Sequence, residues 1–218
     1  MTARGAGARK IQSGPAQALS LERISAAAVE LLDAHGVEGL TMRRLADRLG
    51  SGVMSLYWHV DNKDDVLDLA LDAALEYREP PSRNEPRNWR AEILQMLEEW
   101  RDGMLRHPWS ASLLPRRALG PNMLKRLEFL SKTLVDAGVA EANLNAAVWS
   151  LWNCVMGATV TRASFHVSGH DRTKAPKRPI RVDEPYPTIA HLNLLADDDW
   201  DGAFRKGLDF LLDGVSQR

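Results

Sequence analysis

Apolar residues recur at helical spacing along most of the chain. From Leu21 to Leu32 they fall three or four residues apart, and the same spacing returns in separate segments as far as Val215. No stretch alternates strictly between apolar and polar residues, as a half-buried strand would. The pattern therefore predicts an all-α fold.

Four short helices are predicted between residues 20 and 78, each bounded by residues that favour helix ends. The expected N-caps are Ser20, Thr41, Ser51 or Gly52, and Asn62, and the expected helix-ending glycines are Gly36 and Gly50. The third helix, residues 53–59, is too short to be stable alone and depends on tertiary packing. The second and third helices, separated by a glycine-rich turn, form a helix-turn-helix pattern.

Composition shifts divide the chain into three parts. Residues 1–18 are rich in Gly, Ala, Ser and Arg without periodicity, which predicts a disordered basic arm. Residues 19–66 form the predicted helix-turn-helix domain, with a linking helix that continues to about residue 78. A larger helical domain, residues 79–218, begins with a proline-rich break at residues 80–86.

The larger domain contains two helices with unusually wide apolar faces. Helices are predicted over residues 89–106, near 113–114, and over 121–138, 143–166, 189–195 and 200–215, with a polar, mobile loop over 168–187. The helix over 143–166 is apolar around much of its circumference, so it must be buried on more than one side. Pairing of this helix and the last one with a second copy would cover both, which favours a homodimer over a monomer.

Composition and charge narrow the setting. The 44% hydrophobic and 26% charged content is that of an ordinary globular protein, and no apolar run approaches the roughly 20 residues that span a bilayer. The N-terminus has no apolar segment typical of a secretory signal, and the single Cys154 is typical of a reducing compartment. We therefore expect a cytoplasmic protein without a membrane partner. The net charge of −1 is not typical of a nucleic-acid-binding protein, but a whole-chain sum hides where the charge sits. Residues 19–65 carry more acids than bases, so if this segment binds DNA its bases must be collected on one face and its acids turned away.

The helix-turn-helix segment resembles the tetracycline repressor (TetR) family of transcriptional regulators. The resemblance is carried by Gly39-Leu40-Thr41, Arg43-Arg44-Leu45-Ala46, Leu49-Gly50, Leu56-Tyr57-Trp58-His59-Val60 and Asn62-Lys63. The C-terminal part is similar to the tetracycline-repressor-type ligand and dimerisation domain through its helix order, Tyr186-Pro187 and residues 207–214. The resemblance implies a homodimer in which the helices over 143–166 and 200–215 pair with their partners in a four-helix bundle.

The predicted DNA contacts lie on and around the third helix. Val53, Met54 and Ser55 stand where a recognition helix faces base edges; they offer a hydroxyl and apolar contact to thymine methyl groups, but no bidentate pairing. Arg43, which touches DNA in the family resemblance, is the main specificity candidate. Phosphate contacts are expected from Thr41, Tyr57, His59 and Lys63. Trp58 completes the set, although packing is the favoured interpretation of its ring.

Tryptophans concentrate in the larger domain. Aromatic side chains with a few polar groups between helices are typical of small-molecule sites, although any single tryptophan is more often part of a core. The predicted ligand-binding set is Trp100, Met104, His107, Trp109, Trp149, Trp152, Asn153 and Met156. These residues predict a small hydrophobic or aromatic effector.

No cofactor, metal or catalytic residue is predicted. The family resemblance implies a metal-contacting histidine and an acidic residue for a magnesium–tetracycline chelate. This chain has Arg116 and Thr161 at those positions, so such a chelate is not supported. His166 and His170 are one helical turn apart, but Gly169 indicates that the helix has ended. Cys154, in an apolar helix, is interpreted as a small hydrophobic residue.

The predicted function is a transcriptional repressor, not an enzyme, released from a palindromic double-stranded DNA operator by its effector. Two alternatives stay open. One is a helical-bundle enzyme or small-molecule carrier whose N-terminal domain is only structural. The other is a constitutive DNA-binding protein without an effector.

Overall fold

The computed structural model describes residues 18–79, 88–169, 186–192 and 199–216, and these residues form helices without strands. The α-helices are α1 (Leu21–Gly39), α2 (Met42–Leu49), α3 (Val53–Leu56), α4 (Lys63–Ala74), α5 (Trp89–Arg106), α6 (Pro108–Leu113), α7 (Pro121–Asp136), α8 (Glu141–Gly169), α9 (Pro187–His191) and α10 (Trp200–Ser216). A 3₁₀ turn, Leu114–Arg116, follows α6. The all-α prediction is confirmed. The arm over 1–17 and most of the predicted loop over 168–187 lie outside the described residues.

The predicted caps of the first helices are present. Ser20 and Thr41 accept hydrogen bonds from the backbone N–H groups three residues on, and Gly50 takes the left-handed conformation that ends α2. Asn62 and Asp65 form a reciprocal capping box at the start of α4. These caps satisfy backbone donors that a short helix would otherwise leave unpaired.

Three helix ends predicted between residues 20 and 78 differ from the structure. Gly36 adopts φ +64°, so the chain kinks there as expected, but helical turns resume as far as Gly39. The third helix ends at Leu56 instead of His59, because the amides of His59 and Val60 both turn back to the Leu56 carbonyl. The linking helix ends at Ala74 rather than near residue 78, where contacts from α7 take over.

One continuous apolar core runs through both parts of the molecule. In the first part, α1 packs along α4 and holds α2, so that Ile24, Leu45 and Leu56 are fully buried. In the second part, α8 packs against α5, α7 and α10. Helices α1 and α4 also contact α6, and α4 contacts α7. The first part is therefore packed directly onto the larger helical part.

The buried face of α7 does not consist of its leucines alone. Leu124 is half-exposed and Leu127 only partly buried, whereas Met123, Arg126, Phe129 and Thr133 face inward with Leu130 and Leu134. The buried face therefore includes a charged residue, Arg126, and a polar residue, Thr133, beside the apolar ones.

Helices α8 and α10 keep apolar side chains on the outside. Trp149 and Val160 on α8, and Phe210 on α10, are each at least 45% exposed, although their neighbours Leu151, Val155 and Leu208 are fully buried. Such wide apolar faces are unusual on an isolated surface. Among the described residues, no helix is both long and apolar enough to cross a bilayer.

Candidate DNA-binding surface and effector region

The turn between α2 and α3 is built by backbone hydrogen bonds around Gly50. The Gly50 and Ser51 amides donate to the Asp47 and Ala46 carbonyls at 3.2 Å and 3.0 Å. Because Gly50 has φ +62°, a residue with a β-carbon would be strained there. After this turn α3 is held to the core by buried Leu56 and Val60, and by Val53, which is partly buried against it.

Seven of the nine predicted DNA-binding residues are solvent-exposed, on α2, α3 and the residues that flank them. Met54 is 74% exposed and Trp58 is 87% exposed, while Val53 and Lys63 are only partly covered. The other members that lie open to solvent are Thr41, Arg43, Ser55, Tyr57 and His59. The packing interpretation of the Trp58 ring is wrong, since the ring projects into solvent. The surface presents an indole and a thioether next to hydroxyl, imidazole and guanidinium groups.

Lys63 has a second partner that the sequence did not predict. Its Nζ donates to the Val37 carbonyl at 3.1 Å, which ties the start of α4 to the end of α1. An ammonium group carries three donors, so two stay available for phosphate oxygens. Lys63 therefore both supports the fold of this surface and offers it a charge.

Three acidic residues of α4 pair with the larger domain. Arg117 donates to the Asp64 carbonyl (2.7 Å) and carboxylate (3.1 Å) and pairs with the Asp68 carboxylate. Asn122 donates through its side-chain amide to the Asp72 carboxylate at 2.9 Å. Three acids of α4 thus bind the larger domain, while Glu38, Asp47 and Asp61 stay exposed in the first part of the chain.

His107 and Trp109 are directed at the DNA-binding part, not at the other tryptophans. The Trp109 indole Nε1 donates to Asp33 Oδ1 at 2.7 Å, and His107 Nδ1 lies 2.9 Å from the same oxygen. Because an ionised carboxylate only accepts, the His107 Nδ1 must carry the proton. Asp33 lies on α1, so this cluster joins the two parts of the molecule.

The remaining predicted effector residues divide between a buried and an exposed group. Trp100 packs on Trp152 with ring centroids 4.7 Å apart. Met104 is fully buried, and Met156 is 9% exposed. Trp149 contacts Trp152 at 5.5 Å but is half-exposed, and Asn153 lies open on the same side of α8. Trp100, Trp152 and Trp149 therefore form one aromatic cluster that runs from the core to the exposed side of α8.

Two clefts lie elsewhere. One, of about 630 Å³, runs between α1, α4 and the start of α7, and His107 is the predicted effector residue that lines it. The other, of about 570 Å³, follows α7 beside the residues after α4, where Tyr77, Phe129 and Thr133 form part of its wall. Both volumes fall in the range of small-molecule sites.

A buried polar cluster beside the second cleft was not predicted. The Arg126 guanidinium donates through Nη2 to the carbonyls of Leu75 (3.3 Å) and Glu76 (2.8 Å), and its Cζ lies 5.0 Å from the Tyr77 ring centroid. Burial lowers the pKa of Arg126 to about 10 and raises the pKa of Tyr77 to about 12. The sequence carried a signal for it: Arg126 follows Met123 by three residues and precedes Leu130 by four, the spacing of one buried helix face.

Among the described residues, no group of three His, Cys, Asp or Glu side chains is arranged to hold a metal ion. The side chains of His166 and His170 lie outside the described set. Cys154 is partly buried on α8, and burial raises the pKa of its thiol.

Comparison with known proteins identifies the family. Residues 24–70 match the model of the bacterial regulatory proteins of the tetR family, and residues 81–218 match the tetracyclin repressor-like C-terminal domain. An HTH-type transcriptional regulator of Saccharopolyspora erythraea is 41% identical over 209 residues, which cover 94% of this chain and 88% of that protein.

Solved structures agree with this assignment. The Streptomyces coelicolor TetR family protein ActR, in complex with (S)-DNPA, has 30% identity and a TM-score of 0.71, with 92% of this chain and 98% of that chain covered. BioQ bound to its natural double-stranded DNA operator has 28% identity and a TM-score of 0.64, over 91% of this chain and 99% of that chain. The exposed helix-turn-helix surface and the helical domain behind it are therefore those of a tetR-family transcriptional regulator, and this chain belongs to that family.

Proposed function

We propose that this protein is a homodimeric transcriptional repressor that leaves a near-palindromic operator when it binds a small aromatic or hydrophobic effector. It acts in the cytoplasm and catalyses no reaction. The observation that carries the proposal is the exposed helix-turn-helix surface, joined to the effector domain by side-chain contacts from α1 and α4. The named activities of its relatives, regulation and operator binding, favour a regulator over an enzyme or carrier.

The proposed DNA contacts follow from exposure and chemistry. Met54 and Val53 offer apolar contact to thymine methyl groups, and Ser55 offers a hydroxyl to a base edge. Arg43, at the N-terminal end of α2, supplies the guanidinium for a guanine edge. Because this set makes few hydrogen bonds to bases, DNA shape contributes a large share of the specificity.

The proposed phosphate contacts surround that set. Thr41, Tyr57, His59 and Lys63 are polar and solvent-accessible at its edge. The exposed indole of Trp58 completes the proposed interface, where its ring would lose solvent contact on DNA binding. None of these side chains is held in an ion pair among the described residues.

The proposed dimer uses the outer faces of α8 and α10. Trp149, Val160 and Phe210 would be covered by a second copy in a four-helix bundle, and the two copies would present their α3 helices to half-sites about one helical turn apart. This arrangement assigns Trp149 and Asn153 to the subunit interface rather than to the effector.

Effector control is proposed to pass through the contacts between domains. Arg117, Asn122 and Asp33 fix α4 and α1 to the helices around the effector region, so movement of α6 or α7 would change the separation of the two α3 helices. Complete switching, from about 1:99 to 99:1, requires a difference in effector affinity of roughly 5.5 kcal/mol between the two states.

An electrophoretic shift assay with the DNA upstream of the protein's own coding region tests the DNA-binding part. We expect a specific, salt-dependent shift. Arg43→Ala should lower the binding free energy by about 1–3 kcal/mol and relax the base preference at one operator position. Arg78→Ala, an exposed arginine beyond α4, is the matched control and should bind as the wild type does. Absence of a specific shift would contradict the proposal.

Effector control is tested separately by adding aromatic compounds to the protein–operator complex. Release by one compound supports a ligand-responsive repressor. Retention of the complex with every compound that binds the free protein would instead support the constitutive DNA-binding alternative.

The dimer is tested by light scattering, in which Phe210→Asp should reduce the mass to that of one chain.

A further inference from the structure

We propose that the effector is an aromatic compound carrying an ionised acidic group, and that this group binds Arg126 beside Tyr77. The inference rests on the proposed function, because it names the chemical class of that function's ligand. It is carried by a buried guanidinium whose donors are only partly used.

The first step is the state of Arg126. Its side chain sits on the inner face of α7, and the residue is 5% exposed. Nη2 makes two hydrogen bonds to backbone carbonyls, whereas Nε and Nη1 are buried and make none to the described part of the protein. Buried donors are nearly always paired, so this pair of nitrogens is a site for an acceptor.

The second step concerns charge. Arg126 forms no ion pair with a carboxylate of the described residues; Glu99 favours its charged form only from a distance and is itself exposed. Burial dominates, which is why the pKa of Arg126 falls to about 10. A buried cation without a counterion favours an anionic partner over a neutral one.

The third step adds a neutral donor at the same place. The Tyr77 hydroxyl is also buried without a hydrogen-bond partner in the described residues, and its ring stacks on the Arg126 guanidinium. Since its pKa is raised to about 12, the hydroxyl is protonated at neutral pH and can donate. Nη2 belongs to both two-nitrogen edges of the guanidinium and is already bonded to two carbonyls, so an oxygen of a carboxylate or an ionised phenol would accept single hydrogen bonds, from Nη1 or Nε and from the adjacent phenol.

The fourth step supplies room for the ring. Tyr77, Phe129 and Thr133 line the groove of about 570 Å³, and the Tyr77 and Phe129 rings are 6.0 Å apart. The groove wall also carries two carboxylates, Glu79 and Glu128, and two amines, Lys125 and Lys132, whereas Arg126 is buried beside Tyr77 and is not itself part of the wall. Arg126, Phe129 and Thr133 are spaced three and four residues apart, so they share one face of α7. An aromatic ring against Phe129 would bring its acidic group within one helical turn of Arg126.

The position also links this group to the DNA-binding part. The carbonyls that Arg126 holds belong to Leu75 and Glu76, the two residues that follow α4. An acid that draws the guanidinium toward itself weakens these two bonds. Binding of the acid would therefore loosen the end of the helix that carries the DNA-binding surface.

Calorimetric titration of the full-length protein with three pairs of compounds tests the inference. The pairs are benzoate with benzamide, 2-naphthoate with 2-naphthamide, and 2-anthroate with 2-anthramide, so each pair differs only in the ionised group. We expect at least one carboxylate to bind at least tenfold more tightly than its amide at neutral pH. No preference for the carboxylate in any pair, or no binding of any carboxylate, would overturn the inference.

Two variants locate the preference. Arg126→Met should bring the carboxylate-to-amide ratio to within about twofold of one, whereas Lys125→Met, which removes an exposed cation of the same groove one residue earlier, should keep it. A preference that survives in Arg126→Met or disappears in Lys125→Met contradicts the assignment. If Arg126→Met does not fold, Tyr77→Phe should lower the ratio at least threefold, and an unchanged ratio overturns the inference.

Operator binding without any ligand is measured in parallel. If the wild type does not shift operator DNA, the proposed function fails whatever the calorimetry shows. If it shifts DNA but shows no carboxylate preference, only the ligand class is wrong.

Discussion

Asp33 is the point at which one carboxylate joins the DNA-binding part to the effector domain, and Asp33→Ala measures that link. The change removes the acceptor of the Trp109 indole N–H, 2.7 Å away, and of the His107 ring. Trp109 is 8% exposed, so its donor is left unpaired in a nearly dry site, at a cost of about 1–3 kcal/mol. The Asp33 side chain is 36% exposed, so water offsets part of this, and we expect a loss of about 1.5 kcal/mol in unfolding free energy.

Denaturant unfolding of four proteins isolates the interaction: the wild type, Asp33→Ala, Trp109→Phe and the double variant. Trp109→Phe removes the N–H and also changes packing, but the cycle cancels the packing cost. We expect a coupling energy of about 1 kcal/mol. Glu30→Ala is the control, because Glu30 lies one turn earlier on α1 in an exposed pair with Arg48. Such pairs contribute about 0–1 kcal/mol.

Two outcomes would refute this reasoning. One is an Asp33→Ala loss no larger than that of Glu30→Ala. The other is additivity of the two single changes within about 0.5 kcal/mol, the usual spread for independent sites. Either would mean that the Asp33 cluster does not contribute to holding the domains together.

Three further predictions address single side chains. Lys63→Ala should weaken binding to all DNA sequences about equally and lower the salt slope by about one, with Lys125→Ala as control; a loss confined to the operator with an unchanged slope would contradict the phosphate role. Because the pKa of Tyr77 is about 12, ultraviolet titration of the folded protein should show a late phenol step that Tyr77→Phe removes, and a step complete by about pH 11 argues against it. Burial raises the pKa of the Cys154 thiol, so it should react with a disulfide reagent at pH 8 more slowly than in denatured protein; equal rates would show an accessible thiolate.

Local sequence signals, above all the helix caps, determined the first part of the fold. Thr41, Gly50 and Asn62 are at the helix ends expected of them, because a cap needs only its own side chain and the next few amides. The helix-turn-helix and its family were likewise evident from contiguous motifs. Helix lengths were less certain, since α3 and α4 end where tertiary contacts begin.

Tertiary structure decided what the side chains of the second domain do. His107 and Trp109 were expected at the effector, but they bind Asp33, which is more than 70 residues earlier in the chain. Arg126 stands among leucines in the sequence, where a charged residue is usually exposed, yet it is buried against the Tyr77 ring. The physical reason is common to these cases: periodicity gives the face of one helix, whereas a hydrogen bond between helices depends on how two faces meet. Which donors stay unpaired, and hence which ligand chemistry is favoured, is a property of the packed core alone.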